Sequence, residues 1–265
     1  MNVGLIGFGA INQDIYKYFL KNNNFNVNFK KILVRNFENY VKYDLSIITD
    51  SPEDFLNEKF DYVIECAGHE SVFSFGEKVL KNKSNLMITS TGALTDDNLL
   101  NNLLLLSKKY NKKIIIPSAG IGALDILSAS SIGVLKEVNI VIRKNAEAWE
   151  GTIAENQFDL KTYNNNLVLF SGTVREGAKL YPQNVNISAT VALAGIGLDK
   201  THLKIISDSS ITTHIISINV KGDFGEFSFE ENVIPSHENQ KTGKIVSLAI
   251  IKTLKNLNSN LIIGL

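Results

Sequence analysis

The chain has 265 residues, of which 44% are hydrophobic and 20% are charged, and its formal net charge is zero. These values are typical of a globular protein with one large domain or two small ones, and neutrality argues against a nucleic-acid or anionic-membrane partner, because both usually require a basic excess. The single cysteine, Cys66, excludes an internal disulfide and a cysteine-based metal cage. We therefore predict no metal site and a cytoplasmic location. Because the chain has no run of about 18 apolar residues, we also predict no membrane span.

In the first half of the chain, short apolar runs alternate with longer amphipathic stretches. The apolar runs predict strands at 3–6, 29–34, 45–48, 62–65, 86–88 and 113–116. The amphipathic stretches predict helices at 11–20, about 71–80 and about 97–110. Strands that alternate with helices imply a doubly wound α/β fold, in which helices cover both faces of a parallel sheet.

The pattern changes after about residue 136, where predicted strands follow one another with short turns. These strands cover 138–142, 167–170, 203–206, 213–220 and 225–229. Such spacing indicates a second α/β domain with a mostly antiparallel sheet. Helices are predicted at about 184–194 and about 241–254, and the apolar spacing of the last one predicts that it returns to the first domain. We therefore expect one domain of residues 1–120 plus about 241–265, and a second of 121–240.

A glycine-rich turn follows the first predicted strand directly and opens the first predicted helix. Its sequence is Gly7-Phe8-Gly9-Ala10-Ile11-Asn12. In dinucleotide-binding folds the first glycine permits the tight turn, the second lets the backbone approach the pyrophosphate, and the helix N-terminus supplies unpaired amides. Asn12 stands at the third glycine position, which mainly serves packing. A plain glycine turn is the alternative, but the strand–turn–helix context favours cofactor binding by Gly7, Gly9, Ala10 and Ile11.

The second predicted strand ends without the acidic residue that would hold the ribose of NAD. Arg35 follows that strand instead and is suited to the 2′-phosphate of NADP. The alternative is a solvated surface arginine. Either NAD or NADP remains open as the cofactor.

Three later strand ends carry small residues, which leave room for a nicotinamide ribose. They are the segments Cys66-Ala67-Gly68, Thr91-Gly92 and Ala119-Gly120. In an open α/β sheet, ligands lie at the C-terminal ends of the strands. We therefore predict that these residues also contact the cofactor.

Taken together, the motifs resemble the L-aspartate dehydrogenase family over nearly the whole chain. The resemblance rests on segments 7–11, 65–69, 90–94, 117–125, 149–152, 182–186 and 192–199, on His214, and on 231–232 through 241–242. It implies a Rossmann-type dinucleotide-binding domain and a second domain that holds the substrate and forms a homodimer. It implies NAD(P)-dependent oxidation of L-aspartate to iminoaspartate, or to oxaloacetate and ammonia, with the reverse reaction and a place in pyridine nucleotide biosynthesis.

The resemblance also implies that His214 is catalytic and that Gly120 and Asn184 touch the nicotinamide half of the cofactor. Judged by position alone, a histidine at the start of an apolar strand, such as His214, is more often a core residue with a satisfied hydrogen bond than a catalytic one. Of the other histidines, His69 is predicted to pack on a helix N-terminus, and His202 and His237 are predicted to lie in loops.

The chain departs from the family pattern at several positions. Thr212 stands where the family usually has asparagine, so the departure touches the active site. Ala119 and Gly120 appear in reversed order, and Gly243 replaces a common serine. These differences leave open which substrate the chain uses and how fast it turns that substrate over.

The two carboxylates of an aspartate substrate require cationic or amide-rich partners. Lys241, at the start of the last predicted helix, is the first candidate, with Lys244 and Arg143 as others. Thr212 is a further candidate for substrate contact, through the resemblance. For each cationic residue a solvated surface side chain is the alternative.

Two other functions remain open. One is a related two-domain NAD(P)-dependent oxidoreductase of another small substrate, and the other is a non-catalytic dinucleotide-binding sensor. A homodimer is expected through the sheet of the second domain, since the strand around 215–218 is apolar in sequence on both faces.

Overall fold

The computed structural model describes residues 1–40, 43, 45–158, 160, 166–182, 185–234 and 243–264. The chain forms two compact units, one of Met1–Ala119 with Ser247–Leu265 and one of Gly120–Val246. None of the helices described is long and apolar enough to cross a membrane.

Strands and helices alternate through the first unit and are mixed in the second. The strands are β1 Asn2–Ile6, β2 Asn28–Leu33, β3 Ile48–Thr49, β4 Tyr62–Glu65, β5 Asn85–Ile88, β6 Ile114–Ile115, β7 Leu135–Lys144, β8 Leu167–Thr173, β9 His202–Ser207, β10 His214–Gly222 and β11 Gly225–Val233. The helices are α1 Ala10–Lys21, α2 Pro52–Asn57, α3 His69–Lys81, α4 Asp97–Tyr110, α5 Leu124–Ser130, α6 Ile153–Gln157, α7 Val174–Leu180, α8 Asn186–Ala194 and α9 Ile245–Leu257.

The first sheet has the strand order β3-β2-β1-β4-β5-β6, and all of its pairs are parallel. This is the order of a Rossmann-type sheet, which confirms the predicted fold. Chain order reverses between β1 and β4, and this switch point is where such sheets bind their ligands.

The second sheet has the order β11-β10-β7-β9-β8, and only β7 and β9 pair in parallel. The mostly antiparallel prediction is therefore confirmed. One face, which we call the inner face, carries the buried core of the unit, with Ile142 opposite both Ile216 and Ile205 in the register. The other face of β10 is not apolar as predicted, because Ser217 and Asn219 follow Ile215 there.

Several predicted elements have different bounds in the structure. The strand predicted at 45–48 is only Ile48–Thr49, because residues 45–47 form a 3₁₀ turn. The strand predicted at 225–229 continues to Val233 in register with β10. Four short helices, α2, α5, α6 and α7, were not predicted, since none of them is longer than 7 residues and so none is long enough to repeat the helical apolar spacing.

The last helix begins at Ile245 rather than near 241, and residues 241 and 242 lie outside the described part of the chain. The apolar spacing of the sequence predicts a buried stripe of Ile245, Leu248, Ile251 and Leu254, but Ile245 and Leu248 are exposed. The buried residues of the helix are Ser247, Ala249, Ile250, Ile251 and Leu254. The Ser247 hydroxyl donates to Asp14 Oδ2 in α1 at 3.1 Å. Residues 247–257 of α9 therefore belong to the first unit.

One buried carboxylate joins the ends of β4 and β5. Glu65 is 1% exposed and accepts five hydrogen bonds from described residues. The donors are the backbone N–H groups of Ala67 (2.7 Å), Gly68 (3.0 Å) and Ser90 (3.1 Å) and the hydroxyls of Ser71 (2.6 Å) and Ser90 (2.9 Å). The small-residue turns that follow β4 and β5 are thus held by one side chain.

Replacing Glu65 with glutamine should lower the free energy of unfolding by about 2–3 kcal/mol. Wherever the amide NH2 faces a backbone N–H group, which can only donate, that buried N–H group loses its acceptor. Chemical denaturation followed by circular dichroism measures the loss. Glu70→Gln, on the exposed first turn of α3, is the control and should change stability by only a few tenths of a kcal/mol. An unchanged unfolding midpoint for Glu65→Gln would contradict this role.

Candidate active site

The turn between β1 and α1 requires glycine at its first position. Gly7 has a φ of +83°, and its N–H donates to the carbonyl oxygen of Leu33 at 2.8 Å. A methyl group at Gly7 would lie 2.8 Å from Cβ of Ala67, just after β4, which is closer than two carbons can approach. The glycine therefore lets β1 and β4 end side by side at the switch point of the sheet.

Gly9 and the first turn of α1 face open space. A methyl group at Gly9 would meet no described atom within 4 Å. The first turn, which begins with Ala10 and Ile11, contains no acidic side chain. Unpaired backbone N–H groups and the positive end of the helix dipole favour an anion there. These features fit the pyrophosphate of a dinucleotide, held by backbone rather than by side chains.

Asn12 stabilises this turn from inside. Its side chain is fully buried, and Nδ2 donates to the carbonyl oxygens of Ile6 at 3.2 Å and Gly7 at 2.7 Å. A glycine at this position could not make those bonds. The departure from the three-glycine pattern therefore replaces close packing by hydrogen bonds and leaves the outer surface of the turn open.

Arg35 lies just after β2 and is exposed. The segment that follows it is tied to the glycine turn by aromatic packing, with the ring of Phe8 4.9 Å from that of Tyr43. The Tyr43 hydroxyl also donates to Gln13 Oε1 at 2.7 Å. Tyr43 is thus held next to the glycine turn, and Arg35 is exposed just after β2.

The small residues after β4 lie at the surface of the same sheet edge. Ala67 and Gly68 are exposed, and Gly68 has a φ of +104°. Burial, together with the neighbouring Glu65 charge, raises the pKa of the Cys66 thiol well above its usual range. The thiol is therefore protonated and is not a nucleophile. Its position suits packing against a ligand.

The small residues after β5 are placed differently. Thr91 is 2% exposed, and Gly92 is also buried, because a 3₁₀ turn over Thr91–Thr95 folds them inward. The structure gives neither residue an open surface. Their contact with the cofactor stays a prediction.

The segment after β6 contains a strained residue, Ala119, followed by Gly120, where an added methyl group would be in ordinary packing contact with two helices. Ala119 has a φ of +50°, a conformation that glycine adopts without strain, so the reversed Ala-Gly order puts the side chain at the costly position. A methyl group at Gly120 would lie 3.7 Å from Ile187 Cδ1 in α8 and 3.8 Å from Ile245 Cγ2. The beginnings of α8 and α9 therefore approach Gly120 within the second unit.

His214 is the first residue of β10 and is 5% exposed. In the register it lies opposite Val233 of β11, and on β7 the position beside it is Lys144, next to the Ile215–Arg143 pair. Burial, reinforced by the Lys144 charge, lowers the pKa of His214 to about 4. At neutral pH the imidazole is uncharged and carries one nitrogen able to accept a proton.

Lys144 is a buried cation that the sequence interpretation missed. It is 5% exposed, its Nζ lies 5.4 Å from the ring centroid of Trp149, and the Trp149 Nε1–H donates to the Lys144 carbonyl oxygen at 3.4 Å. Strand alternation could have found it, because Lys144 continues the inner-face series of Ile140 and Ile142. The neighbouring Arg143 was considered instead and lies on the opposite face.

Arg143 is committed to an internal ion pair. Its Nη2 bonds Asp208 Oδ2, and Asp208 Oδ1 accepts from the N–H (2.9 Å) and the hydroxyl (2.6 Å) of Ser210. Although burial acts to raise the pKa of Asp208, the bonds from Ser210 and Arg143 hold it below its usual value. This network fixes the loop from Asp208 that leads through the exposed Thr212 to His214.

Four other positions complete the comparison with the sequence predictions. Asn184, Lys241 and His237 lie outside the described residues. His202 is not in a loop: it begins β9, with Nε2 3.4 Å from Ser171 Oγ.

Gly243 packs against the end of β11. A methyl group there would lie 2.2 Å from Val233 Cγ1, so a serine would clash in this chain. Among the described residues no three His, Cys, Asp or Glu side chains are grouped as a metal site needs.

Two family comparisons match successive parts of the chain. Residues 7–117 match the NAD-binding domain of homoserine dehydrogenase, and residues 125–257 match the family described as "Aspartate dehydrogenase, C-terminal". The first match supports a nicotinamide dinucleotide at the Rossmann-type unit. The second covers half of the chain.

Individual proteins show the same similarity over most or all of the chain. An L-aspartate dehydrogenase of Methanococcoides burtonii is 31% identical over 270 residues, which covers 100% of this chain and 99% of that protein. One from Methanosarcina acetivorans is 35% identical over 206 residues, covering 77% and 76%. The crystal structure of aspartate dehydrogenase from Thermotoga maritima superposes with a TM-score of 0.78 at 26% identity, covering 100% of this chain and 99% of that one. The chain belongs to the L-aspartate dehydrogenase family.

Proposed function

We propose that the chain is an NAD(P)-dependent L-aspartate dehydrogenase, which oxidises L-aspartate to iminoaspartate and catalyses the reverse reaction. Water then hydrolyses the imine to oxaloacetate and ammonia, unless an enzyme of pyridine nucleotide biosynthesis consumes it. Beyond family membership, the observation that carries this proposal is the buried His214, held neutral beside the Lys144 ammonium. A protein that only bound a dinucleotide would not need these two groups together in its core.

The glycine turn fits the cofactor, and its residues would hold the phosphates. The N–H groups of the first turn of α1 would bind the pyrophosphate, with Gly7 and Gly9 keeping the backbone accessible. When bound, the nicotinamide ring accepts the hydride from Cα of the substrate. By resemblance, we assign Gly120 and Asn184 to the nicotinamide half.

His214 would accept the proton that the substrate ammonium loses before oxidation. Its neutral imidazole is in the correct state, although a pKa near 4 makes it a weak base in the free protein. Lys144 would attract a substrate carboxylate on the same inner face. By resemblance, Thr212 and Lys241 stay proposed substrate contacts. The kinetic assay below, applied to Thr212→Asn, tests the role of Thr212 through the turnover of the variant.

Replacing His214 with alanine should lower kcat on L-aspartate by about 10²–10⁴-fold and leave the Kd of the cofactor nearly unchanged. The reason is that a general base acts on the reaction barrier rather than on dinucleotide binding. Initial rates from the absorbance of the reduced nicotinamide, and cofactor titration by fluorescence, provide the two measurements. His202→Ala, at an exposed position on β9, is the control and should keep wild-type kinetics.

The wild-type protein is assayed first on a panel of amino acids and 2-oxo acids with both cofactors. Activity confined to another substrate would support the related oxidoreductase, and cofactor binding without turnover would support the sensor. Wild-type turnover by His214→Ala on L-aspartate would contradict the proposed base.

Replacing Arg35 with alanine should weaken NADP binding about tenfold or more and leave NAD binding within about twofold. A guanidinium pairs with the 2′-phosphate, which NAD lacks, and the exposed Arg35 follows β2 where that group is expected. Dissociation constants for both cofactors are measured by fluorescence titration. Lys59→Ala, at an exposed site of the same unit, is the control. Equal losses for NAD and NADP would exclude a contact to the 2′-phosphate.

We also propose a homodimer formed through the second unit. Support comes from the family resemblance and from the half-buried Val141 and Ile215 on the outward face of its sheet, interspersed with polar residues. Light scattering at micromolar concentration should give twice the mass of the 29.3 kDa chain. A monomer under those conditions would contradict this assembly.

A further inference from the structure

Glu231 is a carboxylate on the inner face of the second sheet. In the register of β11 it lies opposite Ile216, a core residue, and its neighbours on the same face, Phe229 and Val233, are half-buried. Alternation would normally place an apolar residue there. The adjacent Glu230 shows the usual arrangement, because it is exposed on the outward face and accepts from the Ser217 hydroxyl at 2.7 Å.

The Glu231 carboxylate is incompletely satisfied. Its Oε1 is fully buried and accepts no hydrogen bond from the described residues. Burial raises the pKa of Glu231 to about 7. A buried acceptor without a donor is unfavourable, and folded proteins retain very few of them. The residue as a whole is only half-buried, so Glu231 lies at the margin of the core and not in its centre.

The inner face near Glu231 carries two further titratable side chains. His214 lies on the neighbouring strand β10, diagonal to Glu231, and Lys144 lies beyond it on β7. A carboxylate, a neutral imidazole and an ammonium thus follow one another across three adjacent strands. An α-amino acid carries the complementary groups, since its carboxylate suits Lys144 and its ammonium suits a carboxylate.

We propose that Glu231 binds the α-ammonium group of the amino-acid substrate, and the ammonium ion in the reverse reaction. This inference rests on the proposed dehydrogenase function. The substrate ammonium supplies N–H donors to the carboxylate oxygen that lacks one, and a positive charge that offsets burial of the negative one. Its position next to His214 also places the ammonium where the imidazole can take one proton. Glu231 therefore distinguishes amino acids from 2-hydroxy acids, which lack the cation.

Glu231→Gln tests the proposal, because it keeps the shape of the side chain and removes its charge. We expect KM for L-aspartate, and KM for ammonium in the reverse direction, to rise at least about tenfold. KM for oxaloacetate and Kd for the cofactor should stay within about twofold. The midpoint of thermal unfolding should stay the same or increase, because a buried amide is less unfavourable than a buried carboxylate. Glu230→Gln is the matched control and should leave all of these values unchanged.

The outcomes separate the two proposals. A wild-type protein that is inactive on every amino acid tested would overturn the dehydrogenase function, and this inference with it. An active wild type with unchanged KM values for L-aspartate and ammonium in Glu231→Gln would overturn the role of Glu231 alone. A lower unfolding midpoint with unchanged KM values would also overturn it, by showing that the carboxylate is structural.

Discussion

The architecture of the first unit depends on the buried hydrogen-bond network of Glu65. This carboxylate gathers backbone and hydroxyl donors from the turns after β4 and β5, so the two turns cannot move independently. The turn after β4 in turn limits the glycine loop, because Ala67 leaves no room for a side chain at Gly7. A single buried anion therefore positions the edge of the sheet where the dinucleotide is expected, without approaching the ligand itself.

The titratable side chains Glu231 and His214 of the second unit differ from Glu65 in their surroundings. Glu65 has its acceptors filled within the fold, whereas Glu231 keeps an oxygen without a donor and His214 is held neutral beside a cation. Such arrangements reduce stability, and they persist in proteins where a ligand completes them. The two carboxylates therefore differ in kind: Glu65 holds two turns of the first unit together, whereas Glu231 is proposed to bind a ligand in the second.

Local sequence signals correctly predicted the elements that are determined by glycine spacing or by a regular apolar spacing. The turn from β1 into α1 and the whole of α4 follow the expected pattern, since glycine spacing and an apolar stripe determine them locally. Helix α7 was missed although Thr173 and Glu176 form a capping box at its start, which is a readable signal. The strand at β3 was misplaced because only pairing with β2 decides which two residues are extended.

Side-chain roles were harder to predict than elements. Arg143 and Lys144 are adjacent cations, and only the register of β7 decides that the first pairs with Asp208 while the second is buried near His214. Asn12 at the third glycine position weakens the match to the motif, but its hydrogen bonds to the carbonyl oxygens of Ile6 and Gly7 compensate for the departure. Such compensation depends on three-dimensional neighbours, which a motif comparison does not contain.

The low pKa of His214 is compatible with the proposed role of this residue as a base, because one of the two causes of the low pKa, the Lys144 charge, can be offset by a ligand. Burial and the Lys144 charge both favour the neutral imidazole in the free protein. Under the proposed function, a substrate carboxylate bound at Lys144 would offset that positive charge, and this change would raise the affinity of the imidazole for a proton. The imidazole would then be neutral in the free protein and a stronger base in the substrate complex. Substrate binding and proton transfer would be coupled through Lys144.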